Sequence, residues 1–169
     1  MIETLTTIAF AAVMVAALVS DARTKRIPNW LILAGLAAAI LLRGLSGWGI
    51  LLNTLLGAGV GLAVTFPLFA LGAIGAGDAK LFMVVGAFMG PRMFFTALLV
   101  SGVIGGLLGI GAALRQGVLL PLLFRTRDLA VNAVTLGRRG ERPRMTDAGA
   151  LTVPYGVAIA LGSLVVWFV

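Results

Sequence analysis

Long uncharged runs, each closed by a charge or a glycine-rich turn, dominate the 169-residue chain. About 20 consecutive apolar residues cross the hydrocarbon of a bilayer as a helix, so these runs predict membrane spans. The first covers Thr4 to Ser20 and stops at Asp21. The second covers Pro28 to Leu42 and is closed by Arg43 and a turn through Gly44, Ser46 and Gly47. The third, Gly49 to Leu71, lies within the uncharged stretch that ends at Gly77. A short fourth follows from Asp78 to Gly90, then a fifth from Met93 to Leu114 and a sixth from Ala150 to Val169. Only 11 uncharged residues separate Lys80 from Arg92 around the fourth. It still reads as a span, because both cations can reach outward to opposite interfaces along their aliphatic stems. The predicted fold is all-α: a polytopic membrane protein of six transmembrane helices, forming one domain over residues 1–169.

Composition agrees. Hydrophobic residues make up 60% of the chain and charged ones 11%, with a mean hydropathy of +1.11. Soluble domains carry roughly a quarter charged residues, so lipid is the solvent expected for most of this surface. Glu3 precedes the first run and Arg23, Lys25 and Arg26 follow it. A cleaved secretory signal has the opposite charge order, which predicts a retained helix. With six spans and the N-terminus outside, Arg23, Lys25, Arg26, Lys80, Arg115, Arg125, Arg127, Arg138, Arg139, Arg142 and Arg144 fall inside. Of the 13 basic residues that leaves Arg43 and Arg92 outside. The positive-inside rule therefore puts both termini on the outer, periplasmic side. The net charge of +7 then reports orientation, and no nucleic-acid partner is needed to explain it.

A basic loop, about 115–147, separates the last two spans on the cytoplasmic side. Its cluster Arg138 to Arg144 reads first as a surface facing anionic headgroups, and second as a contact for a substrate or partner. Glycines are concentrated inside the spans, as in "GAGVG" from Gly57 and "GVIGGLLGIG" from Gly102. Small residues let membrane helices approach closely, and these read as packing seams.

The chain has no cysteine and no histidine. That excludes thiol nucleophiles, disulfides, iron–sulfur sites and imidazole catalysis, and it removes the usual zinc ligands. No metal site and no cofactor are expected. Four of the six acids have simple explanations: Glu3 at the outer mouth, and Asp128, Glu141 and Asp147 in the wet loop. Asp21 and Asp78 are different, for each stands where a span meets an inside segment, on one side of the membrane. Ionisable groups at such depths usually face a cavity or one another. Taken singly, Asp21 can balance a neighbouring cation and Asp78 can cap the fourth helix. Taken together, two facing carboxylates can hydrolyse a peptide: the ionised one deprotonates a water, and the protonated one donates to the scissile carbonyl.

In "AIGAGDAKLF", Gly75 and Gly77 allow a positive φ or the close approach of a substrate backbone. They read equally as a flexible turn. Lys80 lies two residues on, about 200° round the helix from Asp78, and reads as an interface marker with no role as a base. Pro28 suits the first turn of the second span, where Asn29 can donate to a carboxylate or cap the helix. Pro154 suits the start of the sixth, with Tyr155 as an interfacial hydroxyl.

Three segments, "SDARTKRIPNWL", "GAIGAGDAKLF" and "VPYGVAIALG", resemble the type IV prepilin peptidases among the GxGD intramembrane aspartic proteases. The resemblance implies a membrane endopeptidase of the bacterial inner membrane that removes a short leader from prepilins at the cytoplasmic face. It implies Asp21 and Asp78 as the catalytic aspartates, Gly75 and Gly77 as the glycines of the signature, and pilus or secretion assembly components as partners. Larger relatives add a cytoplasmic domain with a zinc-binding cysteine set and methylate the new N-terminus; with no cysteine here and no inserted domain between spans one and two, no methyltransferase activity is expected. Its compact build is similar to the type serving Flp (tight-adherence) pili. The leader would be read by Asp128, Glu141 and Asp147 or by the carboxylate site itself. Two other readings remain from the residues alone: a small proton- or cation-coupled transporter using the same carboxylates, and a structural subunit of a secretion complex.

Overall fold

The computed structural model describes residues 1–116 and 155–169. Among these residues the chain is all helix, with α1 (Ile2–Thr24), α2 (Asn29–Gly44), α3 (Trp48–Ala70), α4 (Ala76–Gln116) and α5 (Tyr155–Phe168). By length and composition α1, α3 and α4 can cross a membrane, while α2 and α5 are shorter apolar helices.

α4 is not a single rod. Asp78 and Gly105 are 27 residues apart, about 40 Å along a straight helix. Yet Tyr155 packs its ring against Gly105 and also feels the charge of Asp78. The chain folds back at Gly90, whose φ of 76° and ψ of 170° break the helix. Pro91 follows, at a first helical position where its missing N–H is harmless. The two limbs, 76–90 and 91–116, match the fourth and fifth apolar runs. A β-carbon at Gly90 would press on the side-chain amide of Asn53 in α3, and the positive φ there favours glycine.

The limbs differ in surroundings. Leu81, Phe82, Val84, Val85, Ala87, Phe88 and Met89 are all buried, so limb 76–90 is the centre of the bundle. A helix apolar on every side belongs there. Limb 91–116 buries one stripe, including Phe94, Ala97 and Ser101, and exposes Leu99, Val103 and Leu107. The bundle is apolar outside while Thr54, Thr65, Ser101, Ser163 and Asp21 are buried inside, an arrangement suited to lipid.

Small residues set the α3–α4 contact. Gly57 and Gly86 bring their backbones so close that a β-carbon on either would run into the other's carbonyl. A β-carbon on Gly61 would stand 2.6 Å from the Phe82 carbonyl oxygen. The expected seam around Gly102 needs correction, for among the described residues Gly102, Gly106, Gly109 and Gly111 have open space beside them and Gly105 alone is a contact. That segment lies on the outer limb, and four of its five glycines have no described neighbour to pack against.

α3 ends in a Schellman motif. Gly72 N–H donates to Phe69 and Ala73 N–H to Leu68, both at 2.9 Å, with Gly72 at φ 76°. Gly72→Ala is expected to lower stability by about 1 kcal/mol, and Gly72→Asn by less, because asparagine tolerates that conformation. Thermal unfolding in detergent would measure both.

At one end of the bundle, Trp167 Nε1–H donates to Thr7 Oγ1 at 3.3 Å, joining the start of α1 to the end of α5. Arg43 Nε–H donates to the buried Thr54 hydroxyl at 3.0 Å. The opposite end gathers the end of α1 and the starts of α2, α4 and α5. The acidic pair lies there.

Candidate active site

Asp21 belongs to the buried stripe of α1, which runs Thr6, Phe10, Val13, Met14, Ala17, Asp21. Those spacings keep one face, so the carboxylate points into the bundle and is only 6% exposed. Its Oδ2 accepts the Val157 N–H at 3.3 Å, in the first turn of α5. Gly156 makes that approach possible: a β-carbon there would stand 2.8 Å from Oδ2 and 2.9 Å from Cγ.

Asp78 is the third residue of α4. Its Oδ2 accepts the N–H of Gly75 at 3.1 Å, while Ala79 N–H donates to the Gly75 carbonyl at 3.1 Å. This is the acidic half of a capping box, so the capping reading of Asp78 describes a real contact. The positive φ that Gly75 and Gly77 allow is not used, for the glycines with positive φ among the described residues are Gly47, Gly72 and Gly90. The tight turn lies earlier, at the end of α3. Gly75 is instead close to its own acceptor, with a β-carbon placed 3.0 Å from Asp78 Oδ2. Gly77 lies under Ile27, where a β-carbon would make an ordinary contact at 3.5 Å.

The two carboxylates thus come from α1 and α4 and lie at the same end of the bundle, where Ile27 of the loop after α1 comes near Gly77 of α4. Each accepts an N–H at a helix N-terminus, Asp21 from α5 and Asp78 from α4, where the helix dipole favours negative charge. Two carboxylates close enough to interact resist double ionisation and tend to share a proton. A shared proton beside one charge is the equipment for activating a water and protonating a leaving group.

The flanking residues are also placed. Lys80 Nζ donates to Asn29 Oδ1 at 3.0 Å. Asn29 is the first residue of α2, its oxygen taken by Lys80, and it makes no capping bond; Pro28 precedes the helix as its extended N-cap, one residue earlier than expected. Tyr155 opens α5, partly buried, with its ring in the space that Gly105 leaves. Pro154, Asp128, Glu141 and Asp147, and most of the basic loop, lie outside the described residues. Gly156 and Val157 are site residues that the sequence reading missed. The signal for Gly156 was a glycine in a helix's first turn beside a candidate site residue, Tyr155.

Comparison with known proteins follows the same lines. The model of the type IV leader peptidase family matches residues 8–110, which include Asp21 and Asp78. A relative, the prepilin leader peptidase/N-methyltransferase of Bacillus subtilis (strain 168), is 34% identical over 118 residues. That alignment takes in 67% of this chain and 46% of the relative, so the chain spans about half the length of the curated relative it matches. No solved structure matches. A family match over more than half of the chain, on the segments that carry both carboxylates, decides its kinship: the chain belongs to the type IV leader peptidase family.

Proposed function

We propose that this chain is a prepilin leader peptidase whose catalytic unit is the pair Asp21 and Asp78. The observation that carries the reading is their convergence: two acids from separate helices come to one end of an apolar bundle, each at a helix N-terminus. In the reaction, the ionised carboxylate removes a proton from a water held between the pair. The oxygen adds to the scissile carbonyl carbon as the protonated carboxyl donates to the carbonyl oxygen. The tetrahedral intermediate then loses the amine, which leaves with a proton from the dyad. The Val157 and Gly75 N–H groups hold the two carboxylates in place during this exchange.

The proposed setting is the bacterial inner membrane. Six helical limbs cross it, both chain ends face the periplasm, and the acidic pair faces the cytoplasm. Support comes from the basic residues Arg23, Lys25, Arg26 and Lys80, which surround the acidic end. One helix there is short: α2 has 16 residues, about 24 Å at 1.5 Å per residue. Spans shorter than the roughly 30 Å hydrocarbon thin the bilayer locally, which gives water a path to the acids. The proposed substrate is a Flp-type prepilin, with the pilus or secretion assembly as partner. Methylation of the product is not part of the proposal: four residues, 25–28, connect α1 to α2, and the chain has no cysteine.

The test is reconstitution. The full chain in proteoliposomes, given a Flp-type prepilin, is expected to yield one new N-terminus at the leader junction by mass spectrometry. Proton flux without any cleavage would contradict the proposal and favour a transporter.

A further inference from the structure

The segments that carry the two acids are remote in sequence, and besides the grip of α5 on Asp21 their spacing depends on how the loop after α1 meets the start of α4. On one side, the loop after α1 is stiff. Ser20 Oγ donates to the Arg26 carbonyl at 2.9 Å, Thr24 Oγ1 to that of Ser20 at 2.8 Å, and Lys25 adopts a left-handed φ of 52°. The loop therefore moves with the end of α1, and Asp21 with it. On the other side, the first turn of α4 carries Asp78. Among the described residues, Ile27 stands near Gly77, and a hydrogen bond from Lys80 Nζ to Asn29 Oδ1 spans 51 positions of sequence. Ile27 beside Gly77 is apolar packing and fixes no direction. The Lys80–Asn29 bond is charge-assisted and directional.

Resting on the peptidase reading, we infer that Lys80 is a positioning residue: its bond to Asn29 clasps the α1–α2 loop onto the first turn of α4 and sets the separation of Asp21 and Asp78. An exposed lysine at a membrane edge would otherwise extend toward water and headgroups. Here the ammonium reaches sideways to a neutral amide at the start of the adjacent helix. Lys80 points away from Asp78 along α4, so it acts through the backbone it ties and not on the reacting atoms.

The test uses the full chain in proteoliposomes and has two arms. In the cleavage arm, Lys80→Met and Asn29→Leu are each expected to lower kcat by about 10- to 100-fold, since small misplacements of reacting groups cost that much. KM is expected to stay within about two-fold, and the double variant to be no worse than either single one. Lys80→Arg and Asn29→Asp keep donor and acceptor, and are expected to recover most of the rate. In the distance arm, spin labels at Arg23→Cys and Ala76→Cys report on the spacing, with no native cysteine to interfere. The distribution is expected to be narrow in the parent and broad in Lys80→Met. Full activity in Asn29→Leu, multiplying losses in the double variant, or an unbroadened distribution would overturn the clasp. A parent chain that cleaves nothing would sink the peptidase reading, while the distance arm would still decide for or against the clasp.

Discussion

Asp78→Asn is expected to lower the rate of leader cleavage by about 10³-fold or more, and Asp21→Asn by a similar factor, within the range for acid–base groups. Asparagine is nearly isosteric with aspartate, so the comparison isolates the proton. The Gly75 N–H can still donate to the amide oxygen at position 78, and the Val157 N–H to that at position 21. Helix content and thermal unfolding should therefore change little. What disappears is the capacity to take a proton from water and return it to the leaving amine. Measurement is by initial rate on a reconstituted prepilin, normalised to folded protein. A structural subunit would tolerate either change.

Gly156→Val is the second large effect, expected at about 10²-fold or more in rate, the scale on which small displacements in an active site act. Even the first carbon of a side chain at 156 would stand 2.8 Å from Asp21 Oδ2 and 3.1 Å from its Cβ. The surroundings leave the carboxylate little room, since Asp21 is buried on the packed stripe of α1. Either Asp21 turns out of position or the first turn of α5 retreats; both break the bond to Val157. Gly156→Ala places one carbon instead of three and should lose less. Cleavage rate and thermal unfolding, measured on the same preparations, separate a shifted carboxylate from a misfolded bundle. Unchanged cleavage in Gly156→Val would show that α5 does not hold Asp21.

How legible the site was depends on what marks each residue. Asp21 and Asp78 stood out because a charge at the end of an apolar run is costly, and hydropathy displays such costs directly. Helix boundaries were less readable: α1 continues through Asp21 to Thr24, because hydrogen bonding ends a helix and polarity does not. The grip of α5 on Asp21 joins residues 136 positions apart, and no local pattern encodes it. The Lys80–Asn29 bond was hidden for the same reason. Glycines misled in both directions. Gly75 and Gly77 were candidates for unusual backbone, yet the tight turn was made by Gly72. Gly102 and its neighbours had the composition of a seam, but packing depends on the face presented, and the sequence does not say which helix lies opposite.

The central claim is that Asp21 and Asp78 work as one unit. Its most direct test is the cleavage rate of the double variant Asp21→Asn/Asp78→Asn beside the two single ones. A unit that needs both members loses everything with the first, as groups acting together are strongly non-additive. The double variant is predicted to show the same residual rate as each single variant. Cleavage retained in either single variant, or losses that multiply in the double, would contradict it.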